Sequence, residues 1–219
     1  MKKYAITIAR GFGSGGRTLS FKLADELGIH SYENRILTLA AHYSGYEEKD
    51  FVEVNEKLRG GYIGSKLKAL QKHLAPIPQL EHFSSDDKLF EIQSDIIRKI
   101  VDEESCIIVG KCADHILKDY DNVLSVYVEA PRVYCRSRIM ERMGVTPAEA
   151  DHLINKTDKY RAEYYKYYTG GKQWDDPTNY DIVLNSARLG ERKCIEMIKA
   201  ALQVKLGIVL DDGKGNAPI

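Results

Sequence analysis

YAITIARGFGSGGRT, residues 4–18, holds three structural signals in a row. Tyr4-Ala5-Ile6-Thr7-Ile8-Ala9 is apolar and β-branched, which suits a buried parallel strand. Gly11 opens a glycine-rich turn, and an amphipathic helix follows from Thr18, with Leu19, Leu23, Ala24 and Leu27 on one face. Gly28 stands where a helix needs a left-handed terminal residue. The turn fits G-x-x-x-x-G-K-[ST] from Gly11 through Gly16 to Thr18, with Arg17 in place of lysine. Such a loop curls its N–H groups inward, and the helix behind it adds unpaired N–H groups and a positive dipole end. That combination grips a polyphosphate. Thr18 offers a hydroxyl to Mg²⁺, and Arg17 sets a cation beside the β- and γ-phosphates. Arginine keeps the charge but is bulkier and forked. The competing reading is a turn that merely joins strand to helix; the strand before and the helix after favour the phosphate cradle.

The 219 residues suit one α/β domain with a smaller inserted part. A hydrophobic content of 43% is enough for a core. Charges balance at 32 basic and 32 acidic, so no long-range field draws the chain to nucleic acid or anionic membrane. No apolar run reaches the length of a membrane helix, and the N-terminus lacks a signal segment. Cys106, Cys112, Cys135 and Cys194 form no C-x-x-C pair and read as reduced thiols of a cytoplasmic protein, not as a zinc site.

Further along, Ile29 to Tyr32 is too short to read as a strand, and Glu33 to His42 has helical spacing. Arg35 lies on its first turn, where a surface arginine is the local reading. From Ser44 to Ser85 glycines and prolines punctuate a weak helical pattern, read as an inserted helical region. Ser84-Ser85-Asp86-Asp87 predicts a helix start, followed by Leu89, Ile92, Ile96, Ile97 and Ile100. Cys106 to Val109 and Val123 to Val128 read as strands, the first ending at Gly110-Lys111. In a doubly wound sheet ligands gather beyond the carboxyl ends of strands, which places Lys111 near a phosphate or base edge. Asp114 reads as a helix cap.

Arg132 to Met143 is a basic helix. Thr146-Pro147-Ala148-Glu149 is a capping box, and its helix runs to Tyr168 with Asp158 and Arg161 on one face. The tyrosines at its end read as packing for a lid helix rather than as base-stacking groups. Tyr180 to Leu184 is the last strand, with Asn185-Ser186 at its carboxyl end, and Glu191 to Leu206 closes the fold. Asp211 to Ile219 reads as a frayed tail.

ITIARGFGSGGRT, CIIVGKCADHIL, VYVEAPRVYCRSRIMERMGVTPAEA and DKYRAEYYKYYTGGKQWDDPTNYDIVLNSARLG together resemble the cytidylate kinase-like family. The likeness, with LGIHSYENRILTLAA, spans nearly the whole chain in order. It implies an adenylate kinase-like, P-loop NTPase-type three-layer α/β/α fold with a parallel sheet of about five strands. It implies one domain over 1–219: a core of 1–43, 86–143 and 178–207, a helical monophosphate-binding insertion at 44–85 and a short lid at 144–177. The implied reaction moves the γ-phosphoryl group of ATP, with Mg²⁺, to CMP or dCMP. The partners implied are these small molecules, without nucleic acid or membrane.

Residue by residue, the resemblance gives Gly11, Gly13, Ser14, Gly15, Gly16, Arg17 and Thr18 to the donor phosphates, and Thr18 to the metal. Arg35 and Lys111 would meet the acceptor, and Arg138 would act from the lid. Asp158 and Arg161 would contact acceptor base and phosphate, and Asn185 and Ser186 fall near the adenine. Arg17, Arg138 and Arg161 are thus the expected catalytic cations. Three departures stand out. Arg17 replaces lysine, Ile154 replaces the first arginine of R-x-x-x-D-x-x-R, and Val109 replaces an aspartate before Gly110. Two other functions stay open: phosphorylation of a different small molecule, and nucleotide sensing without chemistry.

Overall fold

Strands β1 (Ala5–Arg10), β2 (His30–Tyr32), β3 (Cys106–Val109), β4 (Val123–Glu129) and β5 (Ile182–Asn185) form one parallel sheet in the order β2-β3-β1-β4-β5. They come from a computed structural model, which describes residues 3–33 and 82–210. Its helices are α1 (Gly16–Leu27), α2 (His82–Glu103), α3 (Ala113–Ile116), α4 (Arg132–Met143), α5 (Pro147–Tyr168) and α6 (Ser186–Leu206).

Strand alternation builds two cores. Ala5, Ala9, Cys106, Ile108, Val123 and Tyr127 face one side, where Ile97 and Val101 of α2 and Tyr164 of α5 cover them. Ile6, Ile8, Ile107, Val109, Leu124 and Val126 face the other, under Leu19 and Leu23 of α1 and Ile198 and Leu202 of α6. The result is the expected three-layer α/β/α arrangement of a parallel sheet buried on both faces. A third cluster joins α4 to the start of α5 through Cys135, Ile139, Ala150 and Ile154.

The sheet register brings strand ends level. Ile8 pairs with Val109, Arg10 with Val128, and Glu129 with Asn185. Residues that follow these positions share one crest, and the loop after β1 lies at its centre, flanked by β3 and β4.

Element boundaries depart from expectation in instructive ways. Helix α1 begins at Gly16, two residues before Thr18, because the glycine turn itself enters the helix. The three residues of β2 form a strand because β3 supplies their partners. Helix α2 begins at His82, ahead of the Ser84–Asp87 signal. Helix α6 is two helical segments joined across the non-helical Gly190 (φ 75°, ψ 163°): a short one begins at Ser186, and the expected closing helix runs from Glu191 to Leu206. Asp114 is not the cap of α3: that place falls to Cys112, and the Asp114 carboxylate accepts from Tyr165 Oη at 2.7 Å. The capping box at Thr146 and Glu149 forms as read. Arg35, the helix expected through His42, residues 44–81 of the insertion and the tail 211–219 lie outside the described residues.

Ile107 is fully buried in the layer between the sheet and α1. Ile107→Ala is expected to lower the unfolding free energy by about 2–5 kcal/mol, with an unchanged urea slope, in an equilibrium urea titration.

Candidate active site

The loop between β1 and α1 is curled by its own main chain. The Gly11 amide donates to Val128 O at 3.1 Å, and the Ser14 amide and hydroxyl both donate to Gly11 O, at 3.2 and 2.9 Å. Gly13 (φ 93°) and Gly15 (φ 90°) take left-handed backbone that side chains avoid. A Cβ on Gly13 would lie 2.8 Å from Cys135 O, and one on Gly15 would lie 2.9 Å from Arg138 Nη1. From behind, Ser186 Oγ donates to Ser14 O at 2.6 Å and to Glu129 O at 3.2 Å. The first turn of α1 closes with Leu19 N donating to Gly15 O at 3.0 Å. The amides of Gly16, Arg17 and Thr18 precede that bond, so they form the open, positive end of the helix.

Charged side chains from four other elements converge on this curl. Arg161 Nη1 of α5 donates to Arg10 O at 2.8 Å, and the Phe12 amide donates to Asp158 Oδ1 at 2.9 Å. Asp158 and Arg161 pair with each other at 3.2 Å. Burial pushes the Asp158 carboxyl above the ordinary aspartate range, against the pull of Arg161 and the Phe12 amide. The Phe12 ring faces two guanidinium groups, Arg142 at 5.5 Å and Arg161 at 5.7 Å. Arg138 lies against Gly15 and donates to Tyr134 Oη at 3.1 Å. Glu129, at the end of β4, leans over Gly11 while accepting from Tyr127 Oη at 2.7 Å and from the Ala130 amide at 2.8 Å. Arg17 is held by Glu33, Nε to Oε2 at 2.6 Å, and Glu33 Oε1 takes Arg10 Nη2 at 2.9 Å.

Of the residues singled out from sequence, Arg138, Asp158 and Arg161 meet the loop here, while the Arg17 guanidinium pairs with Glu33 and stands over the Phe21 ring at 5.7 Å. Thr18 is exposed on the first turn of α1. Lys111 stands on the next strand end in left-handed backbone (φ 62°), between Gly110 (φ 74°) and Cys112 (φ 54°). A left-handed non-glycine residue costs about 1–2 kcal/mol, which makes this turn a strained one. Gln93 Nε2 steadies it by donating to Lys111 O at 3.4 Å. The Asn185 side chain caps α6 by accepting from the Arg188 amide at 3.1 Å, and Ser186 is buried beneath the loop. Ile154 is buried with Cys135 and Ile139, and Val109 is buried under α1.

Arg10, Phe12, Glu33 and Glu129 were not singled out from sequence. Arg10 and Glu129 are the last residues of β1 and β4, so the strand-end rule would have found them. Glu33 follows a strand of three residues, too short to give a signal.

Residues 5–188 match the model of the cytidylate kinase-like family. A cytidylate kinase from Methanopyrus kandleri is 25% identical over 210 residues, covering 90% of this chain and 92% of its own. One from Thermococcus kodakarensis is 26% identical over 201 residues, covering 90% of this chain and 86% of its own. A crystal structure of an uncharacterized protein from Eubacterium ventriosum superposes with a TM-score of 0.66 at 25% identity, covering 92% of this chain and 99% of that one. No helix among the described residues is long and apolar enough to cross a membrane.

Ser186→Ala removes the hydroxyl that holds Ser14 O in a buried place. The expected loss is about 1–3 kcal/mol of stability in urea titrations, the cost of an unmet buried acceptor.

Proposed function

This chain belongs to the cytidylate kinase-like family and is a phosphotransferase of the nucleoside monophosphate kinase kind; we propose that it moves the γ-phosphoryl group of ATP to CMP or dCMP in the cytoplasm. What supports the reading is one left-handed glycine loop with Arg138 of α4 against its Gly15, Arg161 of α5 bonded to the residue that precedes it, and Arg17 on the first turn of the helix that it opens.

Phosphoryl transfer asks a protein for position and positive charge more than for covalent chemistry. The curl from Gly11 to Gly16 fits a chain of phosphates. It has no side chains at Gly13 and Gly15 to block the cradle, and it ends on the open amides of α1. Arg17 offers its guanidinium to the donor phosphates, and Arg138, against Gly15, offers a second cation from the other side. Thr18 is the residue that would hold Mg²⁺, which would supply positive charge against the negative charge of the phosphates. Asp158, Arg161 and Lys111 belong to the acceptor side, where Arg35 would join them. Asn185 and Ser186 sit on the β5 side, toward the adenine. The region 44–85 would be the monophosphate-binding insertion and 144–177 would serve as a lid. Closure excludes water, which strengthens each of these charges at the moving group.

Ile154 departs from the acceptor pattern and weighs against CMP or dCMP as the acceptor. At this position the R-x-x-x-D-x-x-R pattern has an arginine, and here the side chain is buried among Cys135, Ile139 and Ala150. One cation fewer serves the acceptor than in true cytidylate kinases.

The test is a screen of nucleoside monophosphates and of hydroxyl acceptors, following ADP release. ADP formation that peaks with CMP or dCMP is expected; none with any monophosphate would overturn the reading. In the same assay Arg17→Ala is expected to lower turnover by roughly a hundredfold, the scale of losing a preorganised charge. Thr18→Ala is expected to raise the Mg²⁺ concentration that half-saturates the reaction.

A further inference from the structure

Taking Arg17 as the cation on the donor phosphates, an assignment that rests on the function proposed above, we propose that Glu33 is the positioning residue that makes an arginine workable in this loop. Its carboxylate anchors Arg17 by Nε and leaves the Nη edge of the guanidinium for phosphate. The two residues form one unit in place of a single lysine.

The chemistry of the two cations gives the reason. A guanidinium has separate donor edges in a rigid plane, so one edge can be tied down while the other forks onto two oxygens. An ammonium is a point charge on a flexible stem, so a carboxylate that captures it draws the whole charge toward itself and away from the phosphates. A long arginine left loose at the mouth of the loop would also need ordering each time a nucleotide arrived. The structure supplies the anchor. Arg17 Nε meets Glu33 Oε2 at 2.6 Å, its guanidinium stands over the Phe21 ring at 5.7 Å, and among the described residues no acceptor takes its Nη groups. The Arg17 side chain is 59% exposed and the Glu33 side chain 12%, so a fixed carboxylate holds a cation that faces solvent.

Glu33 is itself held from behind. Its second oxygen takes Arg10 Nη2 at 2.9 Å, and Arg10 is 15% exposed. The stem of Arg10 packs under the loop, where a Cβ on Gly16 would lie 2.7 Å from Arg10 Cβ. The carbonyl of Arg10 in turn accepts from Arg161. Glu33 therefore ties the end of β2 to β1 and α1 at the one place where the donor cation leaves the backbone.

This arrangement predicts a reversal of sign that a purely structural ion pair does not. In the otherwise native protein, E33Q is expected to lower kcat roughly tenfold, the scale of a mispositioned catalytic group, with a smaller change in the KM for ATP. R17K alone is expected to lower kcat roughly a hundredfold, because Glu33 captures the ammonium. Adding E33Q to R17K frees that ammonium and is expected to restore activity roughly tenfold over R17K. ADP release with Mg·ATP and the best acceptor of the screen reads all four proteins, after circular dichroism confirms that each is folded. E33D, which keeps a charge beside Arg10 but withdraws it from Arg17, supplies the same cycle should E33Q not fold, with the same signs and smaller size. A further loss when either Glu33 variant is added to R17K would overturn the proposal and leave the kinase reading standing. Absence of transfer by the native protein on every acceptor would overturn both.

Discussion

A main chain curled so tightly that two of its residues can carry no side chain is the constraint on which this molecule is built. The curl holds because its own amides and carbonyls are spoken for. Gly11 bonds to β4, Ser14 folds back on Gly11, and Ser186 reaches up from the start of α6 to Ser14 O. Each bond is worth only about 1 kcal/mol net, but leaving one unmet in a buried place costs more. The loop is thus fixed by what its neighbours would lose, and β4, β5 and α6 have to sit where they do.

That constraint explains why so much charge gathers in a chain with no net charge. The open end of α1 and the guanidinium groups of Arg10, Arg17, Arg138, Arg142 and Arg161 bring positive charge to one crest. Repulsion among them is offset by Glu33, Glu129 and Asp158, each seated by hydrogen bonds of its own. Asp158 shows the strain of this balance, since burial raises its carboxyl against its neighbours' pull. The function proposed above gives this crest its use, since preorganised charge is the form in which a protein lowers the barrier to phosphoryl transfer. Helix α5 takes part through a pair of side chains three residues apart, which touch the last residue of β1 and the second residue of the loop. Its far end is locked by tyrosines: Tyr160, Tyr164 and Tyr165 are buried, and Tyr168 stacks on Phe90 at 3.8 Å. Loop, helix α5 and core therefore share one set of contacts.

Local chemistry made much of this legible in the chain itself. The apolar run before Gly11, the strands at Cys106 and Val123, the Gly28 terminus and the Thr146–Glu149 box each depend on residues close in sequence, and each formed as read or within two residues of it. Those signals determined a parallel α/β sheet with a glycine loop after its first strand. The loop residues and the Asp158–Arg161 pair could be named because spacing on one helix or one turn fixes them together.

Tertiary structure decided whatever depends on a distant partner. Strand β2 exists because β3 pairs with it, and Asp114 bonds to Tyr165 rather than capping α3, because α5 crosses there. The grouping of Arg10, Arg17 and Glu33 joins residues from three elements, and no spacing rule couples them. Ser186, beside the loop in space, is 172 positions from Ser14 in the chain. Sequence periodicity reports which way a residue faces within its own element. Which element it then meets is set by the order of strands in the sheet, and that order is a property of the packed whole.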